Sequence, residues 1–463
     1  MLRTLYPAGM APGEPLWVVC LVWVVSFHTG QLFERFGAPS ALGMIIAGAA
    51  LRLLPAAPGM HAPLDGLMLS WSRSIRAGAM ALVLLRAGLG LNVRTARSYG
   101  WNFVAMCTLP CLVESILGAL VGMALFDMPF LLAWAMGWMI AAVGPSVLSA
   151  GCASVKERGY APRAPNFLMT CMCFDGAVCI IAFNCLLHAY LLDDGTGITQ
   201  APDAWGYLTG PLSIALGLGA GAAAACVLSA TAVWCTPARR SGMLLLTCAA
   251  LMYVANNLYE QTGAGAIANL TLGLCTRAAW QRGVPFALLS GEHAADVPRA
   301  ATHMLLDVQR HLGDAWQLAM YPLLFGLLGA SLFDVNVDRS SGRAMSISRA
   351  VGYATCAITM RILVTGGVTH RMRRFSRRER VFLSLAWCTK ATAQAAFATI
   401  PRHLIHRWVL THAPDDTLRG ATAEQLTRWG EDIHNCAVLA VFLGTPLGTI
   451  FINSGAYFLL VHH

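Results

Sequence analysis

About thirteen stretches of this chain are apolar for long enough to cross a hydrocarbon layer, which takes roughly 17 to 25 mostly apolar residues per helix. They lie near 16–34, 39–54, 74–92, 102–125, 131–153, 166–190, 206–234, 241–257, 262–278, 313–334, 346–368, 380–401 and 434–460. Backbone polar groups in hydrocarbon must be satisfied internally, so such stretches fold as helices. The expected class is an all-α polytopic membrane protein. Composition agrees: 57% of residues are hydrophobic and 12% charged, against about 25% charged in soluble domains. The net charge of +9 suits basic cytoplasmic loops rather than nucleic acid, because no aromatic-interleaved basic surface accompanies it. Of the fifteen Cys, Cys107, Cys111, Cys171, Cys173, Cys179 and Cys185 all fall inside apolar runs. They read as small packing residues rather than a disulfide set or a metal site. Met1 to Pro15 is too short and too broken by Pro and Gly to be a cleavable signal.

The loops test the count. NVRTARS, SVKERGYAPRAP, TPARRSG and HRMRRFSRRERV form a basic set, and ALFDMPF, LLDDGTGITQAPDAW and LYEQTG an acidic or neutral one. The two sets alternate, as the positive-inside rule requires, which predicts an external N-terminus and a cytoplasmic C-terminus. Residues 279–312 read as a polar loop with an amphipathic piece near 301–312. Residues 402–433 read as the last outer loop, with a short surface helix at ATAEQLTRWGED.

Two spans look interrupted, one by Gly144-Pro145 and one by the Thr389-Lys390-Ala391-Thr392 cluster. Pro145 removes a backbone donor and frees carbonyls one turn earlier. Irregular backbone at membrane depth is tolerated only inside protein or along a cavity, and paired interruptions point to a transporter site. Four ionisable residues lie well inside spans: Glu114, Asp175, Arg361 and Lys390. Each costs roughly 2.5 to 3.5 kcal/mol at mid-helix. Two acids and two bases could simply form structural salt bridges; set beside two broken helices, they also suit an ion site. Arg86 sits nearer a span end and can snorkel. No nucleophile triad, metal spacing or phosphate loop argues for an enzyme. The Gly-rich LGLGAGAAA at 216–224 lies in a span, where small residues serve helix packing.

In order along the chain, LLRAGLGL, LPCLVES, AAVGPSVLSAGCASVKERGY, FDG, PLLFGLLGAS, MRILVT, FLSLAWCTKATAQAAF and GTPLGT resemble the animal NHA branch of cation/proton antiporters, the exchanger-like group of solute-carrier family nine. The resemblance implies thirteen or fourteen helices with inverted repeats, two broken crossing helices and a homodimer. It implies a core over about 74–190 and 313–460 and a scaffold over about 16–54 and 206–278, within one membrane domain spanning 1–463. Pro145 matches the first broken helix and Lys390 the second, while Glu114 and Arg361 match the family's intramembrane acid and base. Asp175 matches the first of two adjacent aspartates that exchange cation for proton. The family pattern is Phe-Asp-Asp; here it is Phe174-Asp175-Gly176, and Phe174 sets the register in which the second carboxylate is lost.

Exchange by this route needs a buried carboxylate for which Na+ or Li+ and H+ compete. Backbone carbonyls at the break and the hydroxyls of Ser146, Ser149 and Thr170 are the candidate further ligands. No cofactor is implied beyond the transported ions. The leading expectation is a monovalent cation/proton antiporter in the plasma membrane or an organelle membrane. The alternative is a diverged paralogue, impaired by Gly176, that serves as a structural or regulatory membrane partner. A channel or organic-substrate carrier would want a wider polar lining.

Overall fold

The computed structural model describes residues 14–54, 69–91, 93–160, 163–191, 204–230, 236–258, 262–282, 284, 297–331, 342–412 and 417–460. Among these residues every extended element is helical, with one isolated bridge between Leu418 and Ala421. The first part of the chain forms α1 (Pro15–Arg35), α2 (Ser40–Leu53), α3 (Leu69–Gly90), α4 (Val93–Tyr99) and α5 (Trp101–Phe126). Then come α6 (Phe130–Ala141), α7 (Pro145–Glu157), α8 (Arg163–Leu191), α9 (Ala204–Ala230), α10 (Pro237–Tyr253) and α11 (Thr262–Gln281). The rest forms α12 (Val297–Ala315), α13 (Tyr321–Ala330), α14 (Gly342–His370), α15 (Arg377–Ala386), α16 (Thr392–Phe397), α17 (Ile400–Thr411) and α18 (Ala423–Leu460). Single π turns extend α10 at Val254–Leu258 and join α12 to α13 at Trp316–Met320.

Among the described residues, 7 segments are long and apolar enough to cross a membrane; the longest is α18, and α6 and α7 count as one. The helices pack as a bundle. α3 and α9 lie along α11, α1 and α2 pack on α13, and α5 packs between α6 and α14. Small residues set the closest approaches. A Cβ on Gly217 would stand 2.6 Å from Ala264 O, and one on Gly221 would collide with Ala268 O. The Gly-rich run is thus a helix-packing face.

Two predicted spans are each split. The span at 131–153 becomes α6 and α7 around Ala142–Gly144, with Pro145 opening α7 where its missing N–H costs nothing. The span at 380–401 becomes α15, α16 and α17. α15 opens with a capping box, in which Ser376 Oγ accepts from Glu379 N at 3.2 Å and Glu379 Oε2 from Ser376 N at 2.7 Å.

The structure corrects two expected loops. Helix α12 already starts at Val297, so the amphipathic piece near 301–312 is part of a regular helix inside the expected 279–312 loop. The expected outer loop at 402–433 is mostly helical, and ATAEQLTRWGED opens the 38-residue α18. Two tertiary contacts hold this segment within the fold. Trp429 Nε1 donates to Phe126 O at 3.1 Å, and Arg402 pairs with Glu431 at 2.7 Å.

Candidate functional site

The two breaks lie against each other and satisfy each other's backbone. Gly144 N donates to Thr389 O at 2.8 Å. Gln394 Nε2 faces the carbonyls that end α6, at 2.6 Å from Ala142 O, 3.0 Å from Ile140 O and 3.3 Å from Met139 O. Its Oε1 accepts from Ala391 N at 3.0 Å, so one amide serves both breaks. The approach is too close for a side chain: a Cβ on Gly144 would stand 2.7 Å from Ala391 N. Helix α18 backs the second break, where Thr445 Oγ1 donates to Lys390 O at 2.9 Å.

The four intramembrane charges converge here as a linear chain. Lys390 Nζ donates to Glu114 Oε1 at 2.7 Å, and Glu114 Oε2 stands 3.2 Å from Arg361 Nη1. Arg361 Nη2 donates to Asp175 Oδ1 at 2.6 Å. Asp175 Oδ2 accepts from Val143 N at 3.0 Å, which ties the carboxylate to the first break. Asp175, Arg361 and Lys390 are fully buried and Glu114 nearly so, and the four formal charges cancel. Lys390 Nζ also lies 3.3 Å from Ala141 O, at the carbonyl end of α6. The Arg361 guanidinium lies over the Trp387 ring at 5.8 Å.

The other residues singled out from sequence take different places. Ser146 Oγ accepts from Thr392 Oγ1 at 2.6 Å, Ser149 Oγ donates to Ser146 O at 3.2 Å, and Thr170 Oγ1 donates to Asn166 O at 2.8 Å. None of these bonds reaches Asp175. Gly176 is half-buried, and a Cβ built on it meets nothing within 4 Å. Arg86 is half-buried and lies against Gly313 of α12. Sequence reasoning missed Gln394 and the Val143 N–H. The amide could have been found as a polar residue one turn beyond Lys390 in TKATAQAAF; a backbone donor has no sequence signal. Thr389, read from sequence only as part of the second interruption, has its Oγ1 buried at the break without a hydrogen-bond partner among the described residues.

A buried carboxylate held at the crossing of two broken helices can carry either a proton or a small cation, and the half-helix ends supply partial charges around it. Comparison with known proteins places the chain in a family. The sodium/hydrogen exchanger transmembrane family matches residues 19–423. Sodium/hydrogen exchanger 9B2 of Mus musculus is 26% identical over 96% of this chain and 73% of its own length. Sodium/hydrogen exchanger 9B1 of Homo sapiens is 25% identical over 96% of this chain and 78% of its own. The solved sodium proton antiporter MjNhaP1 from Methanocaldococcus jannaschii superposes with a TM-score of 0.66 at 15% identity, covering 97% of this chain and 99% of that one. Its likeness gives the fold: an all-helical polytopic antiporter fold. With the family match extending over most of its length, the chain belongs to the sodium/hydrogen exchanger family of membrane transporters.

Proposed function

We propose that this chain exchanges a monovalent cation, Na+ or Li+, for protons by alternating access, with Asp175 as the exchanging carboxylate. The observation that carries the reading is the position of Asp175: fully buried, and bonded through Oδ2 to Val143 N at the break. A cation at Oδ1 must displace Arg361, and Glu114, already 3.2 Å from Arg361 Nη1, can keep the guanidinium. A proton on Asp175 and a monovalent cation beside ionised Asp175 leave the cluster with the same formal charge. Either occupant can therefore replace the other one-for-one without changing the cluster's charge. The same reading takes about thirteen spans and a cytoplasmic C-terminus. It takes a homodimer whose scaffold is about 16–54 and 206–278, with the broken helices in a moving core of about 74–190 and 313–460.

A second reading, a diverged paralogue with little or no transport, is favoured by a different observation. Three of the four carboxylate oxygens are already hydrogen-bonded, Asp175 to Arg361 and Val143 N and Glu114 Oε1 to Lys390, while Glu114 Oε2 is ion-paired with Arg361 without a hydrogen bond. Where the family pattern has a second aspartate, Gly176 brings no oxygen.

Proteoliposome exchange separates the two. Native protein should move protons against Na+ or Li+, and Asp175→Asn should abolish that movement while the fold survives. Gly176→Asp, entering open space, should strengthen cation binding. Native exchange that survives Asp175→Asn would refute the assignment of the ion to this carboxylate. Absence of exchange at every pH would favour the paralogue.

A further inference from the structure

Asp175 has two sulfur neighbours that the exchange reading does not use. Cys179 is one turn along α8 and so shares its helix face, and Cys111 faces both from α5, one turn before Glu114. One ligand atom from each of Cys111, Asp175 and Cys179 lies within 4.8 Å of the others, and all three side chains are buried. Buried cysteines in apolar helices are mostly small packing residues. Here two thiols from different helices meet a carboxylate, which packing alone does not require. Around a tetrahedral or trigonal metal bonded to sulfur and oxygen, neighbouring ligand atoms are about 3.6 to 3.9 Å apart. The three atoms are within a small side-chain adjustment of that spacing.

We propose that Cys111, Asp175 and Cys179 form a binding site for a thiophilic divalent cation of the Zn2+ or Cd2+ class. Soft thiolates select such metals over the hard cations that carboxylate and carbonyl oxygens hold. On binding, two S–H bonds break, two metal–sulfur bonds form and two protons leave. The incoming charge of the metal is matched by the two new thiolates, so the summed formal charge of the metal, both thiolates, Asp175, Arg361, Glu114 and Lys390 stays zero. The metal ties α5 to α8 and takes the carboxylate that a transported cation needs. Only that last consequence, competition with transport, rests on the exchange reading.

The test is Cd2+ titration of the full-length chain in detergent, read by thiolate-to-cadmium ultraviolet absorption and by the metal-induced rise in Tm. Native protein should bind one Cd2+ per chain that Cys111→Ser/Cys179→Ser does not. Asp175→Asn should keep the absorption band but weaken binding roughly 10-fold or more, since losing a ligand costs at least what losing its supporting partner does. Should the double variant not fold, Cys179→Ala alone should halve the band. Cys171→Ser, at another buried thiol, should leave it whole. Equal Cd2+ binding by native and double-variant protein would overturn the proposal, as would an affinity unmoved by Asp175→Asn. Cd2+ binding without exchange by the metal-free protein would uphold the site and defeat the exchange reading; exchange without this Cd2+ site would do the reverse.

Discussion

Replacing Arg361 by Met should be among the most damaging single changes in the chain, and removing its partner as well should undo much of the damage. Arg361 neutralises two buried carboxylates, Asp175 at 2.6 Å and Glu114 at 3.2 Å. At an effective dielectric of about 20, attractions across those distances are on the order of 6 and 5 kcal/mol. Desolvation offsets much of this, and breaking a buried pair from one side typically costs about 3–5 kcal/mol. Arg361→Met leaves Asp175 and Glu114 facing only Lys390, so a buried negative charge is uncompensated. In Arg361→Met/Asp175→Asn the remaining charges are Glu114 and Lys390, paired at 2.7 Å. That double change should recover roughly 1–3 kcal/mol, a coupling typical of residues in one ion-pair network. The assay is Tm in detergent at a fixed scan rate, for native protein, both single variants and the double. A double variant at least as unstable as the sum of its singles would refute the network as drawn.

Gln394→Leu strips the α6 carbonyls of a shared donor and leaves Ala391 N unpaired. It should lower stability by about 1–3 kcal/mol, and an unchanged Tm would show that these groups find other partners. Gly144→Ala places a methyl 2.7 Å from backbone at Ala391. Overpacking of that kind costs roughly 1–3 kcal/mol, and exchange measured beside Tm should fall with it as the crossing is pushed apart; native Tm and exchange would mean the breaks tolerate separation. Arg373 is exposed in the turn between α14 and α15, and Arg373→Cys should react with an impermeant thiol reagent only after cells are permeabilised. Labelling above the native background in intact cells would invert the proposed topology.

The sequence by itself determined the class and the cast of this protein. Apolar run length reports burial in hydrocarbon residue by residue, so the helices were legible without knowing what they touch. An ionisable residue inside such a run carries a cost regardless of its partner, which marked Glu114, Asp175, Arg361 and Lys390. Which of them pair was beyond local reasoning. The contacts join residues 186 and 276 positions apart, and only the crossing of α5, α8, α14 and the two breaks sets those distances. The resemblance marked Glu114 and Arg361 as an acid and base and set Lys390 at the second break; in the structure Glu114 bridges both cations, while Gln394 serves most of the carbonyls that end α6. The same limit explains residues 402–433. Their polar side chains read as a loop because polarity is local, whereas the bonds of Trp429 to Phe126 and of Arg402 to Glu431 that let a helix run through them are tertiary. Convergence of Cys111, Asp175 and Cys179 is likewise a product of two helices meeting, since helical periodicity aligns the last two and only packing brings the first.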